Sequence, residues 1–144
     1  MILLLLILLT GLSSYIYIFL LLRKSLNLTQ RIMTPGDYLT TNSNYTGYVV
    51  FIEQNMIIND FYFLKKLLTF LSQKVSYQVV SFELSANDPN SGILVEKLKV
   101  RNIPSIHYIN KGEESREIFN FVNVEEDIDT KSILNMIEQR LEKK

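Results

Sequence analysis

Val100-Arg101-Asn102-Ile103-Pro104-Ser105-Ile106-His107-Tyr108-Ile109-Asn110-Lys111-Gly112 is the stretch on which the fold turns. It joins an amphipathic segment to a short β-type run through a single proline, and the run stops at Asn110-Lys111-Gly112. Pro104 has no N–H to donate, so it belongs at the first residue of a strand or on an edge. Ile106, Tyr108 and the β-branched Ile109 favour a strand, and Asn-Lys-Gly supplies the turn after it. A cis bond before proline costs only about 0.5–1 kcal/mol, so a cis Ile103–Pro104 step is within reach of tertiary forces.

Working outward, Tyr48-Val49-Val50-Phe51-Ile52 is a continuous apolar run, as in a strand buried on both faces. Glu53-Gln54-Asn55 follows as a loop, and Asn59 or Asp60 is positioned to cap a helix. In that helix Phe61, Leu64, Leu67, Leu68 and Leu71 recur at helical spacing, with Lys65 and Lys66 on the other side. The aromatic density of Phe61, Tyr62, Phe63 and Phe70 is read as core packing at this period, not as a ligand platform. Val75 to Leu84 is strand-like and breaks at Ser85-Ala86-Asn87-Asp88-Pro89. Asp88 as N-cap with Pro89 at the first helical position starts a short helix whose Ile93, Leu94 and Leu98 are expected to face inward. Beyond Gly112, Glu113 to Arg116 form a polar hairpin tip, and Ile118, Phe119, Phe121 and Val122 make another strand. Asp129 or Thr130 caps a terminal helix with Ile133, Leu134, Ile137 and Leu141 inside and Glu138, Arg140, Lys143 and Lys144 outside.

The order from Tyr48 to Lys144 is therefore β-α-β-α-β-β-α, with a parallel pair through a right-handed crossover and an antiparallel hairpin, hence a mixed sheet. Val-x-x-Ile-Pro-Ser-Ile-x-x-Ile-x-x-Gly, at residues 100–112, resembles the cis-proline strand of the thioredoxin superfamily. Asn87-Asp88-Pro89 and the Lys111-Gly112-Glu113 turn are similar to that family's pattern as well, and the likeness covers about a hundred residues. It implies an α/β fold, a three-layer thioredoxin-like sandwich with a mixed sheet, and a cis Ile103–Pro104 bond.

The resemblance also says where chemistry would sit. In redox-active relatives the strand matching Tyr48–Ile52 leads to a Cys-x-x-Cys whose thiolate is held at low pKa by a helix N-terminus. That position here is Met56-Ile57-Ile58-Asn59, and the buried acid that supports the thiols aligns with the apolar Val50. The chain has no cysteine at all, which removes every thiol mechanism and every disulfide. His107 is the lone histidine, mid-strand, with no carboxylate partner evident in the sequence, and is read as structural. Glu113-Glu114 and Glu125-Glu126 fall in loops, where solvated charge is the default. No phosphate loop and no metal-ligand spacing occurs, so neither catalytic residues, nor a cofactor, nor a metal, nor a small-molecule substrate is expected.

Residues 1–22 carry no charged side chain and are dominated by Leu and Ile. As a helix they span about 33 Å, matching a hydrocarbon core of ~30 Å. Tyr15 and Tyr17 lie towards the interface end of that span. No basic n-region precedes the run, and it is longer than a signal peptide's apolar core, so an uncleaved anchor is expected. Arg23, Lys24 and Arg31 follow it, which puts the domain on the cytosolic or matrix side. Asn27-Leu28-Thr29 and Asn44-Tyr45-Thr46 match the glycosylation pattern but are then not modified.

The chain of 144 residues thus divides into an anchor (1–22), a juxtamembrane connector (23–47) with a turn at Thr34-Pro35-Gly36-Asp37, and a domain (48–144). A short strand near Leu26–Ile32 is left unassigned. A formal net charge of zero gives no basic surplus for nucleic acid. What remains is surface. In relatives the residue before the cis-proline, here Ile103, holds extended peptide through its backbone; with Met56, Ile57 and Ile58 opposite, this end is either an apolar patch for a protein partner or is covered by 34–44. The expected function is a non-catalytic accessory subunit of a membrane complex, such as a respiratory or ATP synthase assembly of the mitochondrial inner membrane, with the domain in the matrix. The alternative is a redox-inactive chaperone or adaptor of the secretory pathway that binds client peptides beside the cis-proline.

Overall fold

A computed structural model of the chain describes residues 1–26, 32–83 and 87–142. The elements in order are α1 (Ile2–Leu26), β1 (Ile32–Met33), α2 (Pro35–Thr41), β2 (Gly47–Glu53), α3 (Met56–Asn59), α4 (Phe61–Lys74), β3 (Tyr77–Phe82), α5 (Pro89–Leu98), β4 (Ser105–Asn110), β5 (Glu114–Asn120) and α6 (Thr130–Glu142). The five strands form one mixed sheet in the order β1-β3-β2-β4-β5. β1 and β2 both run parallel to β3, with Ile32 opposite Val79 and Val50 also opposite Val79. β4 is antiparallel to β2, with Val50 opposite Ile106, and β5 is antiparallel to β4.

Both faces of the sheet are covered, which is why β2 reads as an unbroken apolar run: its five central residues are all buried. Alternation then assigns each to a side. Tyr48, Val50 and Ile52 join Leu64, Leu67, Leu71, Ile133 and Ile137 beneath α4 and α6. Val49 and Phe51 join Val80, Leu94, Leu98 and Tyr38 beneath α2 and α5. Helix, sheet and helix make three layers.

Several expectations need correction. Residues 32–41 are not a loose connector: β1 is the edge strand, and Thr34-Pro35-Gly36-Asp37, expected as a turn, is the start of α2. Thr34 Oγ1 accepts from the Asp37 amide at 3.1 Å while Asp37 reaches back to the Thr34 amide, a capping box. Asp60 precedes α4 but makes no side-chain cap. Ile93 is 53% exposed, and only Leu94 and Leu98 of the expected trio are buried. β5 begins at Glu114 and ends at Asn120, so Glu114 to Arg116 are strand rather than hairpin tip, and Phe121 and Val122 lie past the strand. Asp88 and Asp129 do cap, accepting from Asn90 N at 3.0 Å and Ser132 N at 2.7 Å. The expectations at Asn27, Arg31, Leu84–Ala86, Lys143 and Lys144 lie outside the described residues.

α1 is apolar and solvent-facing along most of its length, and is long and apolar enough to cross a membrane. Its final turns reach α3 and α4, where Phe19 and Leu22 pack against the cluster containing Leu64 and Ile57.

Candidate functional site

The parallel strands β1, β2 and β3 all end on one edge of the sheet, where ligands of open α/β sheets characteristically bind. β4 starts there too, since Ser105 pairs with Phe51 near the end of β2. The Ile103–Pro104 bond at that start is cis. The Pro104 carbonyl accepts from Phe121 N at 3.1 Å, tying the step to the end of β5. Ile103 is half-buried against the α2/α5 side of the sheet, and among the described residues its backbone groups have no hydrogen-bond partner.

The tetrapeptide Met56–Asn59 is the short helix α3, entered through Gln54, whose amide donates to the Phe82 carbonyl at 2.9 Å. Met56 and Ile57 are buried at 7% and 1% exposure, Ile58 is half-buried, and Asn59 is exposed. Met56 and Ile57 belong to the α4/α6 cluster, on the opposite face from the one Ile103 packs against. The structure therefore brings α3 and Pro104 to one edge without joining them as an open apolar patch. Phe19 and Leu22 of α1 pack on the cluster that holds Met56 and Ile57, whereas Tyr38 of α2 belongs to the cluster on the other side of the sheet.

Beside Ile57 lies a cavity of about 260 Å³. Phe19 and Arg23 of α1 line it, with Thr34 at the start of α2, Gln54 and Ser81 at the strand ends, and Glu83, Asp88, Asn90 and Ser91 around the start of α5. Arg23 Nη2 donates to the Ile32 carbonyl at 2.9 Å, fastening the base of α1 to the edge strand. No local pattern announces this cavity, because its walls come from five separate stretches of the chain.

His107 also departs from expectation, because β5 brings it a carboxylate. It is 2% exposed, its Nδ1 lies 2.7 Å from Ser115 Oγ, and Glu117 Oε2 stands 3.9 Å from Nε2. That distance is too long for a hydrogen bond, and Nε2 has no partner among the described residues. Burial holds the imidazole below its ordinary pKa, with Glu117 opposing that shift more weakly. The ring packs edge-on against Phe51 at 5.2 Å and is 2% exposed, so the geometry fits a neutral core histidine. Glu113, Glu125 and Glu126 are exposed, and Glu114 accepts from Asn110 Nδ2 at 3.3 Å. Comparison of the chain with protein-family models, curated proteins and solved structures finds no match.

Proposed function

We propose that the chain is a membrane-anchored, non-catalytic thioredoxin-like protein that docks on a larger membrane complex as an accessory subunit and stabilises it. The sheet order β1-β3-β2-β4-β5, with three parallel strands followed by an antiparallel hairpin, supports the thioredoxin-like part, as does the cis Ile103–Pro104 step at the head of β4. The observation that carries the functional part is the packing at Met56–Asn59. Where redox relatives keep a reactive thiol at a helix start, this chain has buried apolar side chains against the base of its own membrane helix. A site sealed in this way favours a structural role, and the absence of cysteine leaves no atom for thiol exchange.

Arg23 and Lys24 after the apolar span favour the matrix or cytosolic side, and the inner mitochondrial membrane with the domain in the matrix is our proposed location. Blue-native electrophoresis of solubilised membranes tests the docking role: the chain should co-migrate with a large assembly, and migration only as a free small protein would overturn it. A second reading draws on the backbone of Ile103, which has no hydrogen-bond partner among the described residues and which an extended peptide of a secretory client would satisfy. It requires a luminal domain and hence a glycosidase-sensitive shift at Asn27 or Asn44; an unshifted band counts against it.

A further inference from the structure

The cavity beside Ile57 gathers charges of opposite sign without pairing them. Arg23 lines it from α1, and Glu83 and Asp88 line it from the other side of the sheet edge. The guanidinium forms no ion pair with either carboxylate. Asp88 accepts from Asn90 N at 3.0 Å and from Ser91 Oγ at 3.4 Å, and Glu83 makes no hydrogen bond with a described residue. A guanidinium and two carboxylates that face one space are complementary to a molecule carrying an anionic and a cationic group a short distance apart.

Position selects among such molecules. Phe19 and Arg23 belong to the last two turns of the apolar helix, so the cavity opens at its root, where a membrane span meets the head-group layer. At about 260 Å³ it lies just below the ~300–1,000 Å³ of ordinary ligand pockets, the scale of a head group rather than of a nucleotide.

We infer that this cavity is a binding site for the head group of a zwitterionic, amine-bearing phospholipid, the phosphate meeting Arg23, the ammonium meeting Glu83 and Asp88, and the acyl chains running along α1. The inference rests on the reading of α1 as a membrane anchor. An ethanolamine ammonium has three N–H donors for the carboxylates, whereas an anionic head group would meet two negative charges and be rejected.

Native mass spectrometry of the full chain, released from vesicles of equal phosphatidylethanolamine and phosphatidylglycerol, tests this. Retained phosphatidylethanolamine should exceed phosphatidylglycerol by about tenfold, a modest discrimination for an uncompensated like-charge contact. Glu83→Gln removes one carboxylate at an exposed position and should reduce the ratio, and adding Asp88→Asn, which keeps the cap acceptor, should abolish it. Equal retention, a phosphatidylglycerol preference, or a ratio unchanged in the double variant would overturn the assignment. A thermal shift of the detergent-solubilised chain with water-soluble phosphoethanolamine, without retained phospholipid, would assign the cavity to a free zwitterion and overturn the lipid. Vesicle flotation separates the two levels: failure to float with either lipid refutes the anchor, whereas flotation with no head-group preference refutes the cavity site alone.

Discussion

At Gly112 the backbone has φ +70°, and a Cβ added there would come 1.9 Å from the Ser43 carbonyl oxygen. The same residue donates its amide to the Tyr45 carbonyl at 2.9 Å, and Lys111 N donates to Thr46 Oγ1 at 3.0 Å, so the β4–β5 turn is stitched to the segment before β2. A non-glycine residue in the left-handed region costs roughly 1–2 kcal/mol before any clash. Gly112→Ala should lose at least that, read as a lower urea midpoint at an unchanged slope. The sequence marks Gly112 as a turn residue; the second reason for glycine, a backbone oxygen 65 or more residues upstream in contact order, is visible only in the fold. His107 gives a pH signature. Its folded pKa lies below the ordinary 6.5 because burial disfavours the imidazolium. The unfolded chain therefore takes up this proton first as pH falls, so the associated stability is present above about pH 6.5 and declines from there down to the lowered folded value. The urea midpoint should drop between pH 7.5 and pH 5 in the wild type and drop less in His107→Gln.

Among the elements, α2 and α6 test how much a cap decides. α2 has seven residues, too few for an apolar period to separate it from a turn, and its stability depends on the Thr34–Asp37 box and Pro35 at its start. Thr34→Ala should destabilise the protein by about 1 kcal/mol, and Thr34→Ser by much less, in thermal melts of the detergent-solubilised chain. At α6, the Ser132 amide holds the Asp129 carboxyl below its ordinary 3.8. Its stabilisation is present above that ordinary value and is lost as pH falls through the lowered folded one. Asp129→Asn, which still accepts from Ser132, should flatten this acid-range slope. Both caps lie in local sequence, yet only the one at Asp129 or Thr130 is legible there as a helix start, whereas Thr34–Asp37 reads as a turn. The difference is periodicity: Ile133, Ile137 and Leu141 announce α6, whereas α2 buries only Pro35 and Tyr38.

For the molecule as a whole, the join between α1 and the domain matters most. Phe19 and Leu22 pack on the cluster that includes α3, so the apolar helix and the domain share a core rather than a tether. Because the chain lacks cysteine, a single Ser72→Cys on the exposed side of α4 gives a unique topological label. A membrane-impermeant maleimide should reach it only from the matrix or cytosolic face; labelling from the opposite side would invert the proposed orientation. Features that depend on near neighbours are legible in the chain itself: the apolar span, the five-residue run of β2, the amphipathic α4 and α6, the Asp88 cap, the start of α6 at Asp129 or Thr130, and the Ile-Pro-Ser step that heads β4. The tertiary structure alone decided what depends on distant ones. It made residues 32–33 an edge strand because β3 offered a free flank at Val79 and Val80. It set Glu117 beside His107 through the β4–β5 register. It closed Met56 and Ile57 under α1 and left Arg23, Glu83 and Asp88 facing one cavity, because burial and charge proximity are properties of surfaces that meet only once the chain has folded.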